Sequence, residues 1–129
     1  MDEAQVADLL SQLVRIPSIN PRGVALPAEQ EIAAFVTGWM NRAGIQSEVT
    51  DVLPGRPNVI ATLPGSSDRV ILLESHMDTV EIEGMTVAPF GGEVRDGRLY
   101  GRGSSCKRWG RSRPLAGVKV GHLRRCLRV

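Results

Sequence analysis

An apolar run, Val70-Ile71-Leu72-Leu73, leads into Glu74-Ser75-His76-Met77-Asp78-Thr79-Val80, where an imidazole and a carboxylate stand two residues apart. Neutral imidazole is a good zinc ligand. A carboxylate close to a ligating histidine can bind metal itself, orient the ring, or tune the basicity of metal-bound water. Ligand sites in open α/β sheets lie just beyond the carboxyl ends of strands. The run before His76 has the composition of a strand covered on both faces. The pair also has a plainer reading, a solvated or hydrogen-bonded structural histidine at a strand end, and His-x-Asp by itself does not choose between the two.

Several elements must position this pair. Val6, Leu9, Leu10, Leu13 and Val14 recur at helical spacing behind the acidic start Asp2-Glu3, which suits a helix N-terminus. Pro17 ends that helix, and Pro17-Ser18-Ile19-Asn20-Pro21 reads as a turn-rich link. A second helix is predicted to begin near Pro27 or Ala28. It carries Glu29 and Glu31 early, an apolar stripe through Ile32, Phe35, Val36, Trp39, Met40 and Ala43, and Gly44 as its stop. Strands are predicted over Ile45 to Val52, Asn58 to Leu63 and Val70 to Glu74. Asp96-Gly97 is a hairpin-turn signal between Glu93-Val94-Arg95 and Arg98-Leu99-Tyr100. Helices followed by strands, one of them covered on both faces, indicate an α/β layered domain.

The chain has 129 residues, room for one domain at most. Its formal charge of +2 conceals two unlike parts. Residues 1–105 carry eight arginines, no lysine and fourteen acidic residues, a balance of −6. Residues 106–129 carry six arginines, two lysines and no acidic residue, a balance of +8, and they hold both cysteines, Cys106 and Cys126. The acidic start differs from the basic start of a secretory leader, and no apolar run reaches membrane-spanning length; a cytoplasmic protein without membrane contact is expected.

The motif around His76 does not stand alone. It is followed by Pro89-Phe90 and by Asp96-Gly97-Arg98-Leu99-Tyr100-Gly101-Arg102-Gly103-Ser104, and preceded by Ile16-Pro17-Ser18-Ile19-Asn20-Pro21 and Arg56-Pro57-Asn58-Val59. In order and spacing, from about residue 5 to Ser105, this set resembles the metallopeptidase family of acetylornithine deacetylase, succinyl-diaminopimelate desuccinylase, aminoacylase and glutamate carboxypeptidase. The resemblance implies a zinc-exopeptidase-like catalytic domain, with helices packed on a mixed sheet, and a co-catalytic site of two zinc ions for which cobalt can substitute. His76 matches the family's first metal ligand, and Asp78 the carboxylate that supports it and counts as catalytic. The implied substrate is an N-acylated amino acid or small peptide. The implied reaction is amide hydrolysis by metal-activated water, with a glutamate passing the proton to the leaving amine.

The resemblance stops at residue 106. The family continues after its Gly-Arg-Gly segment with a metal-bridging aspartate in Asp-x-Lys-Gly-Gly, and then a Glu-Glu pair that supplies the base and another ligand. This sequence continues Cys106-Lys107-Arg108-Trp109-Gly110 and has no acidic residue after Asp96. The genetic code offers a cause. Ser-Asp-Val-Lys-Gly-Gly encoded as TCG GAT GTA AAA GGT GGG, with GA lost from the aspartate codon, reads Ser-Cys-Lys-Arg-Trp followed by a glycine-type codon, as in Ser105 to Gly110. The expectation is therefore a family portion over 1–105 and a frame-shifted, disordered basic tail over 106–129. The family's second, dimerisation domain would be absent, and this chain alone would be inactive.

Other readings of the tail are weaker. Arg108, Arg111, Arg113, Arg124, Arg125 and Arg128 could serve a non-enzymatic binding protein as a nucleic-acid arm, since dense positive charge suffices to neutralise phosphates; solvated tails of this composition are commoner. Cys106, His122 and Cys126 match no structural zinc spacing. Gly101-Arg102-Gly103 lacks the third glycine of a dinucleotide fingerprint, and Arg102 could either meet a substrate carboxylate or brace its loop.

Overall fold

The computed structural model describes residues 1–20 and 29–104, together with the backbone of 118–119. Pro21, Pro27, Ala28, Ser105 and, apart from 118–119, the basic stretch lie outside the described residues, and with them the expectations placed there. The chain divides into two units. One contains Met1–Ile16 and the described residues from Val80 onward, and the other is Pro17–Thr79.

In the first unit, α1 spans Glu3–Arg15. Asp2 caps it: its side chain accepts from the Gln5 backbone N–H at 2.8 Å, and the Gln5 side chain accepts in return from the Asp2 N–H at 2.9 Å. This capping box satisfies two helix-end donors that would otherwise lack partners. Ile16 is already extended, one residue before Pro17, as steric conflict with proline requires. The helix packs on the hairpin β3 (Glu93–Arg95) and β4 (Arg98–Tyr100), whose Asp96 and Gly97 have φ of 52° and 69°, the left-handed pair of a type I′ turn. Strand β5 (Val118–Lys119) pairs antiparallel with β4. Leu99 is fully buried here and Val14 nearly so.

The contact between helix and hairpin is close enough to demand glycine. A Cβ on Gly101, at φ +143°, would overlap the Val14 side chain and lie 2.9 Å from the Pro89 carbonyl. Ser11 Oγ, buried on α1, donates to the Gly92 carbonyl at 2.5 Å, so the same approach is held by a hydrogen bond.

In the second unit, α2 runs Gln30–Arg42 and turns only Ile32 and Ala33 fully inward. Gly44, at φ 74°, ends it: the Gly44 N–H donates to the Asn41 carbonyl at 3.0 Å and the Ile45 N–H to the Met40 carbonyl at 2.9 Å. These crossed bonds make a Schellman stop, which glycine reaches without a Cβ penalty. Strand β1 (Gln46–Leu53) pairs antiparallel with β2 (Arg56–Thr62), with Val49 opposite Val59 and an irregularity between Asp51 and Leu53. Pro54-Gly55 joins them, Gly55 standing at φ 74° as the third position of a type II turn prefers. Glu29, at the head of α2, is buried and pairs with Arg56 Nε of β2 at 2.5 Å.

Two expectations need correction. Val70 to Glu74 is not a covered strand: it has no regular structure, and Val70, Ile71, Leu72 and Leu73 are 89, 68, 85 and 83% exposed. A central strand needs ladder partners and a cover on each face. Among the described residues no strand pairs with this run; β1 and β2 pair with each other in a two-stranded sheet. The helix-plus-strand class stands, but the single mixed sheet does not. Among the described residues the sheets are two, small and antiparallel, and the parallel element is an isolated bridge between Ile19 and Thr79.

Candidate metal-ligand site

His76 and Asp78 sit on the extended segment that follows the exposed apolar run. His76 Nδ1 lies 2.9 Å from Asp78 Oδ1 and 2.8 Å from the Asp78 backbone carbonyl. A carbonyl oxygen only accepts, and an ionised carboxylate only accepts. The Nδ1 atom is therefore the donor, and in the neutral ring the free lone pair is on Nε2. Fixing which nitrogen carries the proton in this way is how carboxylates and carbonyls prepare a histidine for metal. The imidazole is 72% exposed and the aspartate side chain 26%.

Asp78 is itself held from a distant part of the sequence. Thr79 N–H donates to the Ser18 carbonyl and Asn20 N–H to the Thr79 carbonyl, each at 2.8 Å, which straddles Ile19 and forms the parallel bridge. The Asn20 side-chain amide donates to Asp78 Oδ2 at 2.5 Å. The two carboxylate oxygens thus have separate partners, the imidazole on one and the amide on the other. Asn20 was visible in the sequence only as part of a motif; the contact that gives it a place spans 58 residues and leaves no local spacing signal.

Among the described residues no group of three or more histidine, cysteine, aspartate or glutamate side chains converges. Zinc takes three or four protein ligands. One imidazole, with a carboxylate already engaged by that imidazole, does not fit a complete metal site; it fits the first ligand of one. Cys106, His122 and Cys126 lie outside the described residues.

Known proteins share this stretch. Residues 72–107 match the profile of peptidase family M20/M25/M40. The chain is 34% identical over 102 residues to a succinyl-diaminopimelate desuccinylase of Methylorubrum extorquens, covering 74% of this chain and 25% of that protein. It is 30% identical over 95 residues to an N-formyl-4-amino-5-aminomethyl-2-methylpyrimidine deformylase of Bacillus subtilis, covering 69% and 22%. Residues 72–107 belong to peptidase family M20/M25/M40. The chain spans about a quarter of the length of these relatives. The M20 match ends at residue 107, beside the break in the motif pattern. Similarity to the deformylase of Halalkalibacterium halodurans, at 28% identity, covers 94% of this chain and so enters the basic stretch.

The glycine-flanked arginine of the M20 segment braces its own loop. Arg102 Nε donates to the Val80 carbonyl and its backbone N–H to the Pro89 carbonyl, while Ser104, buried, donates from Oγ to the Gly101 carbonyl at 2.7 Å. Ser11 and Ser104 are buried polar groups that the sequence reading passed over, each satisfied by a backbone carbonyl.

Proposed function

We propose that this chain carries the leading part of an M20-type, zinc-dependent amide hydrolase and does not catalyse hydrolysis on its own. One observation carries the reading: Asp78 occupies His76 Nδ1 and leaves Nε2 as the free nitrogen. His76 is the first metal ligand, and Asp78 orients the ring and raises its basicity. In a complete site, two zinc ions, or cobalt in their place, would polarise the amide carbonyl and make bound water nucleophilic near neutral pH.

Among the described residues the chain supplies one metal ligand and the group that orients it. The described residues offer no second carboxylate near His76 to accept the water's proton, and the sequence after Asp96 holds no acidic residue that could. The substrate class of the lineage is an N-acylated amino acid or a similar small amide. The desuccinylase and deformylase names of the relatives support this, both describing removal of an acyl group from nitrogen. We read the protein as cytoplasmic; no described helix is long and apolar enough to cross a membrane. The dimerisation domain of the lineage would lie in the length that this chain does not share with its relatives.

The purified chain, supplied with zinc or cobalt, is expected to show no hydrolysis of acetylornithine, N-acetylmethionine or N-succinyl-diaminopimelate above the metal-only control. Metal-dependent turnover that is abolished by His76→Ala would overturn the proposal. The proposed cause of the break has its own test. The nucleotide sequence after codon 105 should encode Asp-x-Lys-Gly-Gly and a later Glu-Glu pair in another frame.

A further inference from the structure

We infer that Asn20 is a positioning residue for the His76–Asp78 pair, setting the proton on His76 Nδ1 through the carboxylate it holds. The inference rests on the assignment of His76 and Asp78 made above. A carboxylate bonded through a single oxygen can turn about its Cβ–Cγ bond, whose torsion is broad and nearly two-fold. The imidazole's hold on Asp78 Oδ1 does not prevent that turn. The Asn20 amide on Asp78 Oδ2, at 2.5 Å, does, because turning the group would break both bonds together.

The direction of the amide is not a free choice. Asp78 only accepts, so it is Nδ2 of Asn20 that faces it, and the bond to the charged group is of the stronger kind. The backbone joins in. Two 2.8 Å bonds fasten Ser18–Asn20 to Thr79, so the asparagine is delivered to the carboxylate by the residue next to that carboxylate. Ser18 is 1% exposed, which makes this attachment the least solvated part of the surroundings. His76, at 72% exposure, is the most solvated member, and water competes for its Nδ1 proton. The ring has two acceptors at Nδ1: the Asp78 backbone carbonyl, fixed by the chain, and Asp78 Oδ1, which adds its share only while the carboxylate stays in place. Asn20 supplies that constancy without touching the ring.

The test is a comparison of ring tautomers in the full chain, with no metal added and the ring neutral. Two-bond nitrogen–proton NMR correlations at His76 report which nitrogen holds the proton. Wild type is expected to show Nδ1–H dominant. Asn20→Ala should lower the ratio of Nδ1–H to Nε2–H by about threefold, the scale of one charge-assisted hydrogen bond at a half-exposed site. Asn20→Asp, which sets a second carboxylate against Asp78, should lower it at least as far. Asn20→Ser, which keeps a short donor, should recover part of it. The amide resonances of Ser18, Thr79 and Leu99 serve as controls for the fold. If those amides are unmoved and the ratio is unchanged in Asn20→Ala, the inference fails while the His76–Asp78 assignment stands. If wild type itself shows Nε2–H dominant, the assignment fails first. Should Asn20→Ala disrupt the fold, the Asn20→Ser and Asn20→Asp pair decides: the ratio in Asn20→Asp should fall clearly below that in Asn20→Ser, and equal ratios in the two overturn the inference.

Discussion

Replacing Leu72 by serine should cost this chain almost nothing. Full burial of a leucine side chain is worth about 1.5–3 kcal/mol, but Leu72 is 85% exposed, so roughly a sixth of that contribution, below about 0.5 kcal/mol, is at stake. In a strand covered on both faces the same change would remove the whole transfer term, leave a cavity and bury a hydroxyl, a loss of about 3 kcal/mol or more. The two placements therefore differ by several-fold in a quantity that urea denaturation followed by far-UV circular dichroism resolves. The exposed placement makes a second demand. Val70, Ile71, Leu72 and Leu73 form a contiguous apolar run open to water, the composition that drives self-association. Leu72→Ser should reduce binding of a hydrophobic dye and raise the concentration at which the chain stays monomeric. Amide exchange at 70–74 should be fast in both proteins. A 3 kcal/mol loss of stability, or protected amides at 71–73 in the monomer, would refute the placement.

Two glycines with positive φ give contrasting outcomes. Gly101→Ala combines a backbone conformation that L residues rarely adopt with overlap against Val14 and the Pro89 carbonyl. It should cost about 2–5 kcal/mol in the same denaturation assay and shift the amide resonances of Val14 and Leu99. Gly44→Ala meets the conformational penalty alone, since nothing lies within 4 Å of the added Cβ, and should cost about 1 kcal/mol. Equal costs at the two positions would contradict the close approach of α1 to the loop after β4.

Local rules carried the sequence reading furthest. Asp2 at a helix head, Pro17 after its end, Gly44 at a stop and Asp96-Gly97 in a hairpin act on their immediate neighbours, and each is found doing so. Val70 to Glu74 failed because a strand's existence is decided by what lies beside it. Four apolar residues in a row fit a covered strand and an unpartnered segment equally well. Glu29 illustrates a smaller miss. The sequence places it only early in the second helix, whereas its carboxylate is buried against Arg56, 27 positions away, and makes no side-chain cap. His76 and Asp78 were legible as a pair because their spacing is short. The partner that completes them, Asn20, stands 58 residues away in sequence and beside the Ile19–Thr79 bridge.

A zinc titration of the metal-free chain, read at the two ring nitrogens of His76, bears most directly on the idea of a first ligand without the rest of its set. Weak one-to-one binding through Nε2 is expected, with the Nδ1 proton still held by Asp78 and no second zinc taken up. Tight binding of two zinc ions, or metal arriving at Nδ1 with loss of the bond to Asp78, would contradict it.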